Sequence, residues 1–226
     1  MRWAAVIVAA GRGTRFGRPK QFLELAGTPM VGWSIRTFAA MPEIAELVVA
    51  TEPESIASIE ALLQRSAPRF APRVVRGGAT RQESVFNALT AVPQACDAVL
   101  VHDGARPLVT AADVRAGMAE VRPGRAALLA TPVVDTVKIV DPASGRVDRT
   151  LDRSTLWGAQ TPQFAMTAEL RDAHQRARQT GGAATDDAAL LEAIGVEVVV
   201  VRPTNENFKV TLPEDVLRAE TVLRRR

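Results

Sequence analysis

The chain has 226 residues, 47% hydrophobic and 23% charged, with a formal net charge of +3 and one cysteine, Cys96. That length and balance predict one domain spanning 1–226, and no apolar run reaches the ~18 residues that a bilayer span needs. The mild, dispersed charge favours small anionic substrates over nucleic acid, no membrane partner is expected without a spanning run, and a lone Cys96 fits a reducing, cytoplasmic compartment.

The first ten residues, Met1 to Ala10, place a basic residue before a short apolar stretch, as a signal peptide does. Organised glycines and cations follow from Gly11 to Lys20, so a buried first strand is the better reading. Apolar runs rich in Val, Ile and Ala recur at Ala4–Ala9, Leu47–Ala50, Val74–Val75, Ala98–Val101, Ala126–Ala130 and Val196–Val201. They alternate with amphipathic stretches at Met30–Ala40, Glu54–Gln64, Gln82–Ala91, Ala111–Glu120, Ala168–Gln179, Asp187–Ile194 and Glu214–Leu223. Strands alternating with helices imply right-handed crossovers and a mostly parallel sheet covered by helices on both faces, an α/β fold. The rhythm breaks at about 133–153, where Thr136-Val137-Lys138-Ile139-Val140, a turn at Asp141–Gly145 and a return through Val147 to Leu151 spell a hairpin. A two-stranded ribbon has little stability alone, so this one is expected to project as a dimerisation arm, with a simple surface hairpin as the alternative.

The loop Ala9-Ala10-Gly11-Arg12-Gly13-Thr14-Arg15-Phe16-Gly17-Arg18-Pro19-Lys20-Gln21 follows the first strand, where open α/β sheets bind ligands. Gly11 and Gly13 let backbone amides approach phosphate oxygens, and Arg15 and Lys20 supply positive charge. The dinucleotide fingerprint fails because Gly17 falls one place late, and no Gly-Lys-Ser/Thr of a phosphate-loop NTPase occurs. Only Lys20, Lys138 and Lys209 are lysines among twenty-eight basic residues. A compact ammonium can follow a moving phosphoryl oxygen where a planar guanidinium cannot, which marks them as candidates for chemistry.

Further motifs occur in order: Gly77-Gly78-Ala79-Thr80-Arg81-Gln82-Glu83-Ser84-Val85, His102-Asp103-Gly104-Ala105-Arg106-Pro107, Leu151-Asp152-Arg153 with Gln160-Thr161-Pro162-Gln163, and Asn207-Phe208-Lys209-Val210-Thr211 with Pro213-Glu214-Asp215. With the first loop they resemble the 2-C-methyl-D-erythritol 4-phosphate cytidylyltransferases, the IspD family, from the first strand to the last helix. The resemblance implies a Rossmann-like sheet of the nucleotide-diphospho-sugar transferase type and transfer of CMP from CTP to methylerythritol phosphate, with release of pyrophosphate.

By that resemblance Arg15 and Lys20 stabilise the transition state at the α-phosphorus, and Arg153 and Lys209 position the acceptor phosphate. Ala9, Ala10, Gly11, Gly13, Gly78, Ser84 and Ala105 hold the nucleotide, with Gly78 and Ser84 at the cytosine and ribose and Arg81 supporting their loop. Asp103, Arg106, Thr136 and Thr161 face the acceptor, and Asp103 also faces Mg²⁺ directly or through water. The homodimer forms through the hairpin arm, which carries Thr136 and Arg153 to the partner's site. The attacking phosphate is already anionic, so no general base is needed, and no Ser-His-Asp or Cys-His arrangement is evident. No fused cyclodiphosphate synthase domain is expected after Leu223. The rival readings are another polyol cytidylyltransferase, such as one making CDP-ribitol, and a catalytically idle nucleotide-binding protein of the same fold.

Overall fold

The computed structural model describes residues 1–11, 20–203 and 206–225. Its centre is β1 (Trp3–Ala9), apolar almost throughout because both its faces are covered. β1 pairs in parallel with β4 (Ile44–Thr51) on one side and β6 (Ala98–Asp103) on the other, and β5 (Arg73–Arg76) pairs in parallel beyond β4. Beyond β6 come β10 (Trp157–Met166), β7 (Arg125–Pro132) and β11 (Glu197–Val201), giving the order β11-β7-β10-β6-β1-β4-β5.

β10 is the one strand of this sheet that runs against its neighbours. The reason lies in its connection: the chain leaves β7, makes the ribbon of β8 (Lys138–Val140) and β9 (Val147–Thr150), and returns without a crossover helix. Parallel pairing needs such a crossover, so the return must be antiparallel. The apolar rhythm of the sequence does not mark this strand, because its first half is exposed and only its second half is buried.

Side chains alternate along β1: Ala5, Ile7 and Ala9 join one core, Ala4 and Val6 the other. The first core takes Val31, Ile35 and Phe38 from α1 (Met30–Ala39), Ile59, Leu62 and Leu63 from α2 (Ile56–Ser66) and Val114 from α4 (Ala111–Glu120). The second takes Val85, Ala88 and Leu89 from α3 (Arg81–Ala91), Leu170, Ala173 and Ala177 from α5 (Thr167–Thr180), and Leu190 and Leu191 from α6 (Asp187–Ala193). The alternating elements and the doubly covered sheet of the sequence analysis are therefore present, with the strand expected at Leu47–Ala50 running the full length of β4.

A third, smaller core sets the position of the C-terminal segment. α7 (Pro213–Leu223) packs Ala219 and Leu223 with Leu25 of the short β2 (Glu24–Leu25), Met30 and Val210. β2 pairs with β3 (Thr28–Pro29), and the backbone amide of Ala26 between them donates to Glu220 at 2.9 Å. This packing holds Asn207–Val210 across the carboxyl edge of the sheet, where the Val210 amide donates to the Ala105 carbonyl at 2.8 Å.

Candidate active site

The carboxyl ends of β1, β4, β5 and β6 open into one cleft of about 640 Å³. Its walls come from Val8–Gly11, Lys20 and Gln21, Glu52 and Pro53, Arg76–Arg81 with Ser84 and Asn87, Asp103–Ala105, and Lys209. This is the rim at which parallel α/β sheets bind ligands, since every crossover leaves the strand ends uncovered there.

Backbone approach shapes the loop after β5. A Cβ at Gly77 would lie 2.3 Å from the Ala10 Cβ, and one at Gly78 would lie 2.2 Å from the Glu83 Cβ, so only glycine fits at either place. Thr80 caps α3 by accepting the Glu83 amide at 3.1 Å, and Glu83 reaches back to the Ala79 amide at 2.7 Å, a capping box displaced by one residue. The Ser84 hydroxyl donates to the Thr80 carbonyl at 2.9 Å and accepts from the Gly78 amide at 3.0 Å. Ser84 thus closes the loop upon itself.

Asp103 at the end of β6 is the electrostatic centre. Its Oδ1 accepts from Arg81 Nε at 3.1 Å and its Oδ2 from Lys209 Nζ at 2.7 Å. Burial alone would push this carboxyl upward, but the guanidinium of Arg81 and the ammonium of Lys209 outweigh it and hold Asp103 well below the usual carboxylate range. Behind Asp103, its amide donates to Thr161 Oγ1 at 3.0 Å, and Thr161 also meets His102 Nδ1 at 3.2 Å. His102 Nε2 faces the Arg106 carbonyl at 3.0 Å and must donate to it, so the Thr161 hydroxyl donates to Nδ1 and the ring is neutral. Complete burial presses the His102 pKa down to about 4.

Thr161 reaches Asp103 because β10 is irregular there. The pairing of Ala159 with Ala130 resumes at Gln163 with Leu128, so the partner strand supplies fewer residues than β10 across the same interval. Such a bulge re-aims side chains. Asn207 ties the same bulge to the C-terminal segment, donating to the Thr161 carbonyl at 2.7 Å, while Arg106 Nη1 donates to the Asn207 carbonyl at 2.9 Å. Lys20 opens a single 3-10 turn through Phe22 and donates to the Val210 carbonyl at 3.0 Å, which brings it beside the Lys209 backbone.

The family model of 2-C-methyl-D-erythritol 4-phosphate cytidylyltransferase, IspD, matches residues 3–225. The chain belongs to this cytidylyltransferase family. A relative of that name from Pelotomaculum thermopropionicum is 42% identical over 99% of this chain and 94% of its own length. Another from Prochlorococcus marinus is 42% identical over 96% of each. The crystal structure of the Thermus thermophilus 2-C-methyl-D-erythritol 4-phosphate cytidylyltransferase superposes with a TM-score of 0.79 at 35% identity, covering 99% of this chain and 100% of that one. That of the Anaerococcus prevotii 4-diphosphocytidyl-2C-methyl-D-erythritol synthase superposes with a TM-score of 0.87 at 28% identity, covering 99% and 98%.

Among the IspD-type residues expected from sequence, Ala9, Ala10, Gly11, Lys20, Gly78, Ser84, Asp103, Ala105 and Lys209 line the cleft together. Gly13 and Arg15 lie outside the described residues. Thr161 does not line the cleft: it is buried with its hydroxyl engaged by Asp103 and His102, so it positions Asp103. Arg106 is likewise drawn aside to the Asn207 carbonyl. Thr136 and Arg153 stand apart, exposed at the base of the ribbon, where Arg153 donates to the Val134 carbonyl. Gln21, Glu52, Arg76 and Asn87 are cleft residues that the sequence reading did not single out. Arg81, read as a loop support, proves to be a direct partner of Asp103.

No cluster of three metal-binding side chains occurs among the described residues. Asp103 is the carboxylate at the centre of the cleft, ionised and already engaged on both oxygens. A Mg²⁺ that arrives with a triphosphate asks for only one or two protein carboxylates and no dedicated protein cage, and Asp103, through lone pairs left on oxygens that already face Arg81 and Lys209, is the residue that would hold it.

Proposed function

We propose that the chain transfers CMP from CTP to 2-C-methyl-D-erythritol 4-phosphate, giving 4-diphosphocytidyl-2-C-methyl-D-erythritol and pyrophosphate for non-mevalonate isoprenoid synthesis. The observation that carries this reading is that Lys20 and Lys209, from opposite ends of the chain, line one cleft, with Lys20 bonded to the carbonyl next to Lys209. Family membership over residues 3–225 supplies the identity of the substrates.

A phosphate oxygen of the acceptor attacks the α-phosphorus in line; the new P–O bond forms as the bond to the β-phosphate oxygen breaks and pyrophosphate leaves. Lys20, with Arg15, stabilises the charge that develops on the α-phosphoryl oxygens, and Lys209 orients the acceptor dianion. Ala9, Ala10, Gly11, Gly13, Gly78 and Ala105 offer backbone to the nucleotide, and Ser84 shapes the base pocket by holding Gly78. Arg106 and Thr161 support the acceptor side through Asn207 and Asp103. A Mg²⁺ held by Asp103 and the nucleotide would neutralise triphosphate charge.

The same reading includes a homodimer joined through the ribbon, with Thr136 and Arg153 completing the partner's site. Val134, Val140, Val147 and Trp157 are exposed on or beside the ribbon, apolar surface of the kind that a partner covers. It also places the enzyme in the cytoplasm, in keeping with a single buried free Cys96. No helix among the described residues is long and apolar enough to cross a membrane. Pyrophosphate release with CTP, ATP, GTP and UTP, each against methylerythritol phosphate and ribitol phosphate, tests the function. Release confined to CTP with methylerythritol phosphate supports it; release with ribitol phosphate alone would replace the acceptor.

A further inference from the structure

Behind the cleft, the Arg81 guanidinium bridges two carboxylates. Its Nε faces Asp103, and its Nη1 lies 2.8 Å from Asp187 Oδ2. Asp187 opens α6 at 1% exposure, and its Oδ1 meets Nε2 of the fully buried His174 at 3.0 Å. Burial works against the Asp187 charge, and Arg81 followed by His174 keeps the carboxyl below its ordinary range. The α6 terminus is also pinned to the β10 bulge. Gln163 Oε1 accepts the Asp187 and Ala188 amides at 2.9 and 2.8 Å, and Gln163 Nε2 donates to Asp186 at 2.9 Å.

We propose that Asp187, seated on His174, is a positioning residue that turns Arg81 so that Asp103 keeps one oxygen for Lys209. A guanidinium facing a single carboxylate prefers to close on both its oxygens. Held by Asp187, Arg81 reaches Asp103 through Nε, and Oδ2 remains for the Lys209 ammonium at 2.7 Å. Without Asp187 the guanidinium is free to close on both oxygens of Asp103 and displace Lys209 from its place in the cleft. A buried ion pair adds little to stability when set against an apolar pair of similar volume, so orientation is the stronger reason for this one. The β10 bulge serves both ends, with Thr161 fixing the Asp103 backbone and Gln163 fixing that of Asp187.

The inference rests on the cytidylyl-transfer reading, and its test separates the two. Asp187→Asn, Lys209→Met and the double variant are compared by pyrophosphate release, with the folded fraction measured for each. Asp187→Asn is expected to lower kcat/KM for the acceptor roughly tenfold or more, while the KM for CTP stays within about twofold. The double variant is expected to be no worse than Lys209→Met alone, because Asp187 acts through that ammonium. Asp187→Ser also takes the carboxylate away from Arg81, so it gives the same split and decides the matter should Asp187→Asn not accumulate. Losses that multiply in the double variant, or Asp187→Asn with a lowered Tm and unchanged kinetics, would overturn the relay. A wild-type chain that releases no pyrophosphate would defeat the activity reading itself, and the relay with it.

Discussion

Asp103 accepts Lys209 Nζ at 2.7 Å on one carboxylate oxygen and Arg81 Nε at 3.1 Å on the other. The end of β6 is thereby joined to the segment before α7, and an ammonium is fixed at the mouth of the cleft. The Lys209 side chain is 42% exposed, so removing it disturbs little packing. Lys209→Met is expected to fold normally and to lose about 10²- to 10³-fold in kcat/KM for the acceptor, as for a deleted preorganised contact. Thermal unfolding beside steady-state kinetics checks both halves.

Lys20 is fixed differently, through the Val210 carbonyl at 3.0 Å. Lys20→Ala is expected to leave the far-UV circular dichroism unchanged and to remove roughly 3–4 kcal/mol of transition-state stabilisation. The loss should fall on kcat more than on the KM for CTP. Undiminished turnover would take Lys20 out of the mechanism.

Thr161 is buried, accepting from the Asp103 amide and donating to His102. Thr161→Val keeps the volume and strands that amide without an acceptor. Denaturant titration is expected to show a loss of about 1–3 kcal/mol, together with reduced turnover because Asp103 is no longer held. Full activity with lowered stability would confine Thr161 to packing.

His102 gives the fold a pH dependence of defined sign. Its folded pKa is about 4, against about 6.5 in an unfolded chain. The unfolded chain therefore binds the proton first, so this contribution is complete above pH ~6.5 and declines as pH falls toward 4. Between pH 7 and pH 5 the loss is about 2 kcal/mol. Urea unfolding at those two values is expected to show it in the wild type and to show a smaller change in His102→Gln. Equal slopes would contradict a buried neutral imidazole.

On the proposed reading the ribbon of β8 and β9 holds a homodimer together. Replacing 137–151 with a short Gly-Ser turn should leave a folded monomer by analytical ultracentrifugation, with acceptor turnover lost if Thr136 and Arg153 serve the partner. A dimer that survives the replacement would place the interface elsewhere.

Much of this architecture is legible from local pattern. Each apolar run read as a strand joins the sheet, since central parallel strands are covered on both sides and must be apolar throughout, and the cleft lies after β1 as the glycine-rich loop suggests. β10 was not legible, because Trp157-Gly158-Ala159-Gln160 is half exposed and its pairing is settled by the preceding ribbon. Asp187 was not legible either. Asp186 caps α6, and that the next carboxylate turns inward to Arg81 depends on how α5 and α6 pack. Thr161 sits in a recognisable motif, but whether its hydroxyl faces substrate or Asp103 is decided by the bulge.

On the proposed reading Lys20 serves the α-phosphate of CTP and Lys209 the acceptor phosphate that attacks it, both in the cleft at the rim of the sheet. A crystal structure with a non-hydrolysable CTP analogue and methylerythritol phosphate tests it most directly. The expected result is the α-phosphate in the cleft within hydrogen-bonding reach of Lys20 Nζ, with the acceptor phosphate on the Lys209 side. A nucleotide whose α-phosphate touches neither ammonium would contradict it.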